Sequence, residues 1–229
     1  MRIMSYNTRG SLGMDNVRST RRIVDTVRMV SPDVICFQEI HKKLIWSRRE
    51  DQPLELGSYL SRRFIFQRNV RFGMGAYGIG IAARGQVVSI TEHTLPGGRE
   101  QRGVLEVALK DVGGLRNVTV FCTHFGLGEQ ERVGQAEALA GYVGAVKWPV
   151  IVCGDFNEGP EGEAIKLLLI RTGLVDADAG ENRPTFQADN PTVRIDYCFV
   201  SQDLKVENVE VPHSLASDHL PLVVDVTQQ

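Results

Sequence analysis

The most apolar runs of this chain stop abruptly at polar residues. Ile35-Cys36-Phe37 meets Gln38-Glu39, Val118-Thr119-Val120-Phe121 leads to Thr123-His124, and Val150-Ile151-Val152 leads to Gly154-Asp155-Phe156-Asn157. The first run, from Ile3, ends in Tyr6-Asn7, and Ser217-Asp218-His219 precedes the last. A carboxylate at the end of a buried strand is costly unless a cation or hydrogen bonds compensate it. One such residue is easily a structural ion pair. Five strand ends presenting Asn, Glu, His, Asp with Asn, and Asp with His fit one shared site at one edge of the sheets far better.

The pattern between these ends alternates. After a strand at 3–6, Asp15 or Asn16 offers a cap for a helix carrying Val17, Ile23, Val24 and Val27 at helical spacing. Ser31-Pro32 stops that helix, and 33–37 is a continuous apolar strand. Residues 41–63 are less regular. Strands are expected at 64–66, 77–82, 86–95, 103–110 and 115–123, separated by glycine-containing turns. A helix at 129–147, a strand at 149–153, a helix near 161–171 ended by Gly173, and strands near 193–200, 206–211 and 221–226 complete the chain. Helices interrupting runs of strands define an α/β or α+β class, with sheets covered by helices. No repeat, linker or low-complexity tract divides residues 1–229, which read as a single domain.

Composition narrows the function. A hydrophobic content of 42%, a charged content of 24% and a net charge of −2 exclude a disordered or coiled-coil chain. The near-neutral charge argues against coating nucleic acid by bulk electrostatics. No apolar run reaches the roughly 18 residues of a membrane span. The N-terminal stretch has no signal-peptide character, so a reducing cytoplasm is the expected compartment. Cys36, Cys122, Cys153 and Cys198 form no CxxC pair and lie in apolar runs, where they read as small hydrophobes.

Three motifs are decoys. Gly73-Met74-Gly75-Ala76-Tyr77-Gly78 spells a dinucleotide fingerprint, but 79–83 reads as a strand where that loop must open a helix. Asp176-Ala177-Asp178 lacks the closing Glu of a calcium loop, having Gln187 in its place. The sequon Asn117-Val118-Thr119 sits inside a strand. No organic cofactor is expected. Carboxylates and amides without a cysteine pair suit a hard cation, Mg²⁺ or Mn²⁺. Histidines beside carboxylates act as acids or stabilise negative charge, and there is no G-x-S-x-G elbow. Together these describe metal-assisted hydrolysis of a phosphate ester.

Ser5-Tyr6-Asn7, Phe37-Gln38-Glu39, Thr123-His124-Phe125, Gly154-Asp155-Phe156-Asn157, Arg194-Ile195-Asp196-Tyr197 and Ser217-Asp218-His219 occur in one order along the chain. In this the sequence resembles the endonuclease/exonuclease/phosphatase family of deoxyribonuclease I-like phosphoesterases. The resemblance implies a four-layered α-β-β-α sandwich, two packed β-sheets flanked by helices, with a divalent metal site. It implies Glu39 as the main metal ligand, with Asn7 contributing to the metal or its water shell and Asp218 completing the site. Asp155 resembles the carboxylate that orients or deprotonates the attacking water, and Asn157 a holder of that nucleophile or a phosphate oxygen. His219 resembles the group that stabilises the transition state, with Asp196 fixing its ring. His124 resembles a phosphate contact or a general acid for the leaving group. Arg102 resembles a phosphate-contacting arginine, and Tyr77 is read either as a second substrate-side residue or as strand packing. Many relatives carry Asn where this chain has Ile79, which alters the substrate pocket. His41, His93 and His213 match no motif and are read as structural or surface residues.

The substrate is read in two ways. Residues 42–71 hold a local excess of about five positive charges, with Trp46 and Phe72 as stacking surfaces, which fits a DNA or RNA phosphodiester. The alternative is a phospholipid or small sugar or inositol phosphoester. A catalytically silent binding module is disfavoured, because every metal and acid–base position is filled.

Overall fold

Each apolar run becomes a strand because its alternate side chains find a different layer to enter. The computed structural model describes residues 1–147 and 149–229. Its first sheet is built from β1 (Arg2–Asn7), β2 (Val34–Lys42), β3 (Arg63–Phe72), β4 (Gly75–Ala83), β11 (Leu204–Glu210) and β12 (Leu222–Gln228). Its second holds β5 (Gln86–Thr94), β6 (Gly103–Val112), β7 (Leu115–His124), β8 (Val150–Asp155), β9 (Val175–Asp176) and β10 (Asp196–Val200). The strand orders are β11-β12-β1-β2-β4-β3 and β5-β6-β7-β8-β10-β9. Both sheets are mixed: β1–β2 and β7–β8 run parallel, and the other pairs antiparallel.

Three apolar layers hold the sandwich together. Ile3, Cys36 and Ile81 of the first sheet pack against Leu105, Val120 and Cys153 of the second. On the outer face of the first sheet, Tyr6, Ile35 and Phe37 meet Ile23 and Val27 of α1 (Thr20–Val30) and Leu56 of α2 (Gln52–Leu60). On the outer face of the second, Phe121, Val152 and Phe199 meet Leu139 of α3 (Glu129–Gly144) and Leu168 of α4 (Glu163–Thr172). Each fully buried large side chain contributes about 1.5–3 kcal/mol. The result is the expected α-β-β-α order of layers.

Local departures have local causes. Helix α1 starts at Thr20 after Ser19, not at Asp15 or Asn16. Asp15 instead accepts from the Val17 N–H at 3.1 Å in an Asx turn, and Val17 is 53% exposed. The irregular stretch contains α2, which Asp51 caps by accepting from the Leu54 N–H, with Pro53 in its first turn. Strand β3 extends to Phe72, and its register shifts between Arg68 and Val70. The glycine-rich 73–78 motif is the β3–β4 hairpin, with Gly73 at φ +59°, and no helix follows it. All four cysteines are buried, and Cys122, Cys153 and Cys198 are register partners across β7, β8 and β10. Among the described residues no helix is long and apolar enough to cross a membrane.

Candidate active site

Strand register assembles the centre. His124 lies opposite Asp155 in the parallel β7–β8 pair, and Asp196 lies opposite Asp155 in the antiparallel β8–β10 pair. From the facing sheet, Asn7 at the end of β1 donates Nδ2 to Asp155 Oδ2 at 2.9 Å and to Glu39 Oε1 at 3.1 Å. Glu39 stands where β2 bulges between Phe37 and Ile40, and its φ of +57° is a left-handed conformation rare for a non-glycine residue. The bulge breaks the strand's alternation at the residue whose carboxylate joins the centre.

His219 Nδ1 donates to Asp196 Oδ2 at 2.8 Å, while its Nε2 lies 3.6 Å from Asp155 Oδ2. Burial alone would lower the basicity of this ring, but Asp196 and Asp155 outweigh it and raise the ring above its ordinary value. The ring is therefore an imidazolium at neutral pH. Thr185 Oγ1 donates to the same Asp196 oxygen at 2.6 Å, and the Phe186 ring sits 4.9 Å from that of His219.

His124 is the opposite case. Its Nδ1 lies 2.8 Å from Arg102 Nη1 and 3.4 Å from the Tyr77 hydroxyl. A guanidinium only donates, so Nδ1 is the acceptor and the ring proton resides on Nε2, 3.4 Å from Asp155 Oδ2. Burial, then Arg102 and His219, push this histidine well below its ordinary range and keep it neutral. Asp155 itself is pushed upward, chiefly by burial, with His219 opposing the shift.

Arg102 is buried rather than solvated at a strand edge. The next residue is Gly103, where a Cβ would lie 2.9 Å from the His93 carbonyl and 2.3 Å from Gln67 Nε2. Glu100 Oε1 is 3.0 Å from Arg102 Nη1, and a cavity of about 260 Å³ lined by Arg99, Glu100, Arg102, Gly126, Leu127 and Glu131 opens beside them. Asn157, at φ +50°, donates its backbone N–H to Asp155 Oδ1 at 2.9 Å and its Nδ2 to the Phe125 carbonyl at 3.0 Å. It secures Asp155 through its backbone.

The metal-type residues cluster at the other side of Asp155. Glu39 is pushed upward by burial, and the neighbouring Asp218 charge adds to the shift. Asp218 is 3.3 Å from Arg9 Nε. Asn7 turns its Oδ1 back to accept from the Arg9 N–H at 3.1 Å, so its amide nitrogen faces Glu39 and Asp155. Carboxylates are hard oxygen donors of the kind a divalent cation selects. A ligand role for Asn7 Oδ1 requires an amide flip. Separately, Asp155, Asp196 and His219 bring ligand-type atoms within 4.8 Å of one another.

All ten residues singled out from the sequence thus converge, or secure one that does. Arg9, Thr185, Phe186 and Ser217, whose Oγ donates to the Asn7 carbonyl at 2.8 Å, belong to the same network. Ser217 lies in the Ser217-Asp218-His219 motif, and no spacing signal marks the other three. His93 pairs with Glu106 at 2.7 Å, His41 is buried under Gly10 and His213 is exposed, in keeping with structural or surface places.

The chain is 27% identical over 227 residues to the uncharacterized protein YbhP of Escherichia coli, covering 88% of this chain and 86% of that one. Its fold superposes on an endonuclease/exonuclease/phosphatase from Beutenbergia cavernae with a TM-score of 0.86, at 22% identity over 100% of this chain and 71% of that one. It also superposes on the mannosyl-6-phosphatase Bt3783 of Bacteroides thetaiotaomicron with a TM-score of 0.78, at 19% identity over 99% of both chains. Residues 4–219, spanning every motif of the site from Asn7 to His219, match the endonuclease/exonuclease/phosphatase family, and the chain belongs to that family of phosphoester hydrolases.

Proposed function

We propose that this protein is a divalent-metal-dependent phosphodiesterase in which Asp155 activates the attacking water. The observation that carries this reading is the setting of Asp155. Its carboxylate is buried, raised in basicity, and bracketed by a neutral imidazole at 3.4 Å and a cationic one at 3.6 Å. Mg²⁺ or Mn²⁺, held by Glu39 and Asp218 with Asn7 beside it, would supply Lewis-acid polarisation of a phosphoryl oxygen.

The chain's own groups do the rest. Asp155 Oδ2 accepts the water proton, and a base with raised affinity for it is suited to neutral pH. The His219 imidazolium, its ring fixed by Asp196, donates Nε2–H toward the charge that develops on the phosphoryl group. The Nε2–H of neutral His124 is a second donor. Arg102 and Tyr77, on the far side of His124, bind phosphate or the leaving group, with the adjoining cavity to receive it. A centre with carboxylates at 39, 155, 196 and 218 repels a monoester dianion more than a diester monoanion. Both a nucleic-acid backbone and a phospholipid head group present such a diester.

The test is hydrolysis of bis(p-nitrophenyl) phosphate against p-nitrophenyl phosphate with Mg²⁺. The diester is expected to be the better substrate, and Asp155→Ala to lower kcat by about 10²–10⁴-fold. An Asp155→Ala protein with full activity would overturn the reading.

A further inference from the structure

Two neighbouring turns project from one end of the first sheet. One is the 3-10 turn Ile45–Ser47, and the other is the β3–β4 hairpin around Gly73. They are seated together, since a Cβ on Gly75 would lie 2.8 Å from both the Leu44 side chain and the Lys43 carbonyl. On these turns Ile45 is 74% exposed, Trp46 55%, Phe72 46% and Met74 86%. The Trp46 and Phe72 rings pack edge to face at 5.1 Å, the Trp46 ring also meets that of His41, and the rest of this apolar group faces solvent. Contiguous exposed apolar surface of this kind marks an interaction site more often than chance.

Charge tells what kind. Arg48, Arg49 and Arg71 are exposed around the patch, and none has an acidic partner within ion-pair distance among the described residues. The patch also adjoins the catalytic centre. The Trp46 ring lies 6.5 Å from that of His41, the His41 ring 5.7 Å from that of Tyr77, and the Tyr77 hydroxyl 3.4 Å from His124 Nδ1.

We propose that this patch docks the enzyme on an anionic phospholipid bilayer, with Ile45, Trp46, Phe72 and Met74 entering the interface and the arginines meeting lipid phosphates. Aromatic and aliphatic side chains ringed by cations are what a headgroup–acyl boundary selects. A single-stranded nucleic acid needs open aromatic faces. Here the edge-to-face contact covers a face of one ring, and the two most exposed side chains, Met74 and Ile45, have no π face to stack on a base. A second copy in a two-fold contact would bring like-charged arginine clusters together. Docking does not depend on the hydrolytic reading, but it would place a lipid phosphodiester beside His124.

The experiment is flotation of the whole chain, in EDTA, with vesicles of phosphatidylglycerol and phosphatidylcholine and with phosphatidylcholine alone. Binding is expected to the anionic vesicles and to fade with salt. The Trp46→Ala/Met74→Ser variant should weaken it by about tenfold or more, equivalent to about 1.4 kcal/mol. Arg48→Gln/Arg49→Gln should abolish the preference for anionic lipid. Both variants should retain wild-type hydrolysis of bis(p-nitrophenyl) phosphate. Asp155→Ala should float like wild type, so loss of the catalytic reading leaves docking standing. Docking is overturned if wild type does not float, or if the apolar variant floats equally well. It is also overturned if Trp46→Ala instead dissolves a dimer seen by ultracentrifugation, or removes oligonucleotide binding while flotation is unchanged.

Discussion

Asn7 donates its side-chain amide to Asp155 at 2.9 Å across the gap between the two sheets. The same nitrogen reaches Glu39 at 3.1 Å, so one short side chain sets the spacing between a carboxylate of each sheet. Removing a partner that orients a carboxylate at a metal site costs about 10–100-fold in metal affinity or activity. Asn7→Ala should therefore lower kcat on bis(p-nitrophenyl) phosphate by about 10–100-fold while circular dichroism stays native. A kcat within a factor of two of wild type would show that the amide does not position Asp155.

Thr185 tests how far the site extends beyond its titratable groups. Its hydroxyl and the His219 ring share one oxygen of the buried Asp196, at 2.6 and 2.8 Å. Hydrogen bonds to a charged group contribute about 1.5–3 kcal/mol. Thr185→Val should lower the unfolding free energy by about that amount and kcat by about tenfold, with KM little changed. Thr185→Ser should restore both. Denaturant titration and steady-state kinetics on the pair of variants decide it.

Chelation should silence the enzyme, and Mg²⁺ or Mn²⁺ should restore it. Glu39 is raised by burial and by the Asp218 charge, and a cation beside it would relieve both. Glu39→Gln should raise the metal concentration for half-activation by about 10–100-fold. A binding readout is independent of turnover: added metal should raise the melting temperature of wild type through mass action, and that rise should vanish in Glu39→Gln. An unchanged shift in the variant would move the metal away from Glu39.

The strand that carries Asn7 is held at its start by Arg2, which donates Nε and Nη2 to Asp225 Oδ1 and Oδ2 at 2.8 and 2.6 Å. These bonds lower the Asp225 carboxyl from its ordinary value. The folded value lies below the unfolded value of about 3.9, so the stabilisation is present above that pH. It is lost as pH falls through the lower folded value. Because both groups are partly exposed, the pair is worth about 1 kcal/mol or less. Asp225→Asn should lower the urea midpoint at pH 7 and converge with wild type once pH has fallen through the lowered folded value.

Much of the site was legible because apolar strands advertise their ends. Asn7, Glu39, His124 and Asp155 each follow a run whose burial is forced, so their common edge could be inferred before any coordinates. Arg102 and Tyr77 were harder to place. Arg102 is buried against His124 on the neighbouring strand β7, a contact between strands that no single-strand pattern encodes. The start of α1 was misplaced because Asp15 serves a turn as readily as a helix cap, and only packing, with Val17 left outside, distinguishes them. Helix α2 escaped the reading of 41–63 because basic and apolar residues are mixed there without a clean period. Thr185 gave no signal at all, since its importance lies in one hydrogen bond to a residue 11 positions away.

The aligned rows on β7, β8 and β10 make this enzyme unusually sensitive to one kind of misfolding. His124, Asp155 and Asp196 form one row, and Cys122, Cys153 and Cys198 form another two residues away on the same strands. A slip of one residue would turn every side chain to the wrong face and be rejected by the core. A slip of two preserves that alternation but sets a thiol opposite a residue of the His124, Asp155 and Asp196 row. Such a chain would keep its secondary structure and much of its apolar burial yet have no working centre. Specific activity per folded molecule is thus a proofreading signal for strand registry, reporting errors to which hydrophobic collapse is blind.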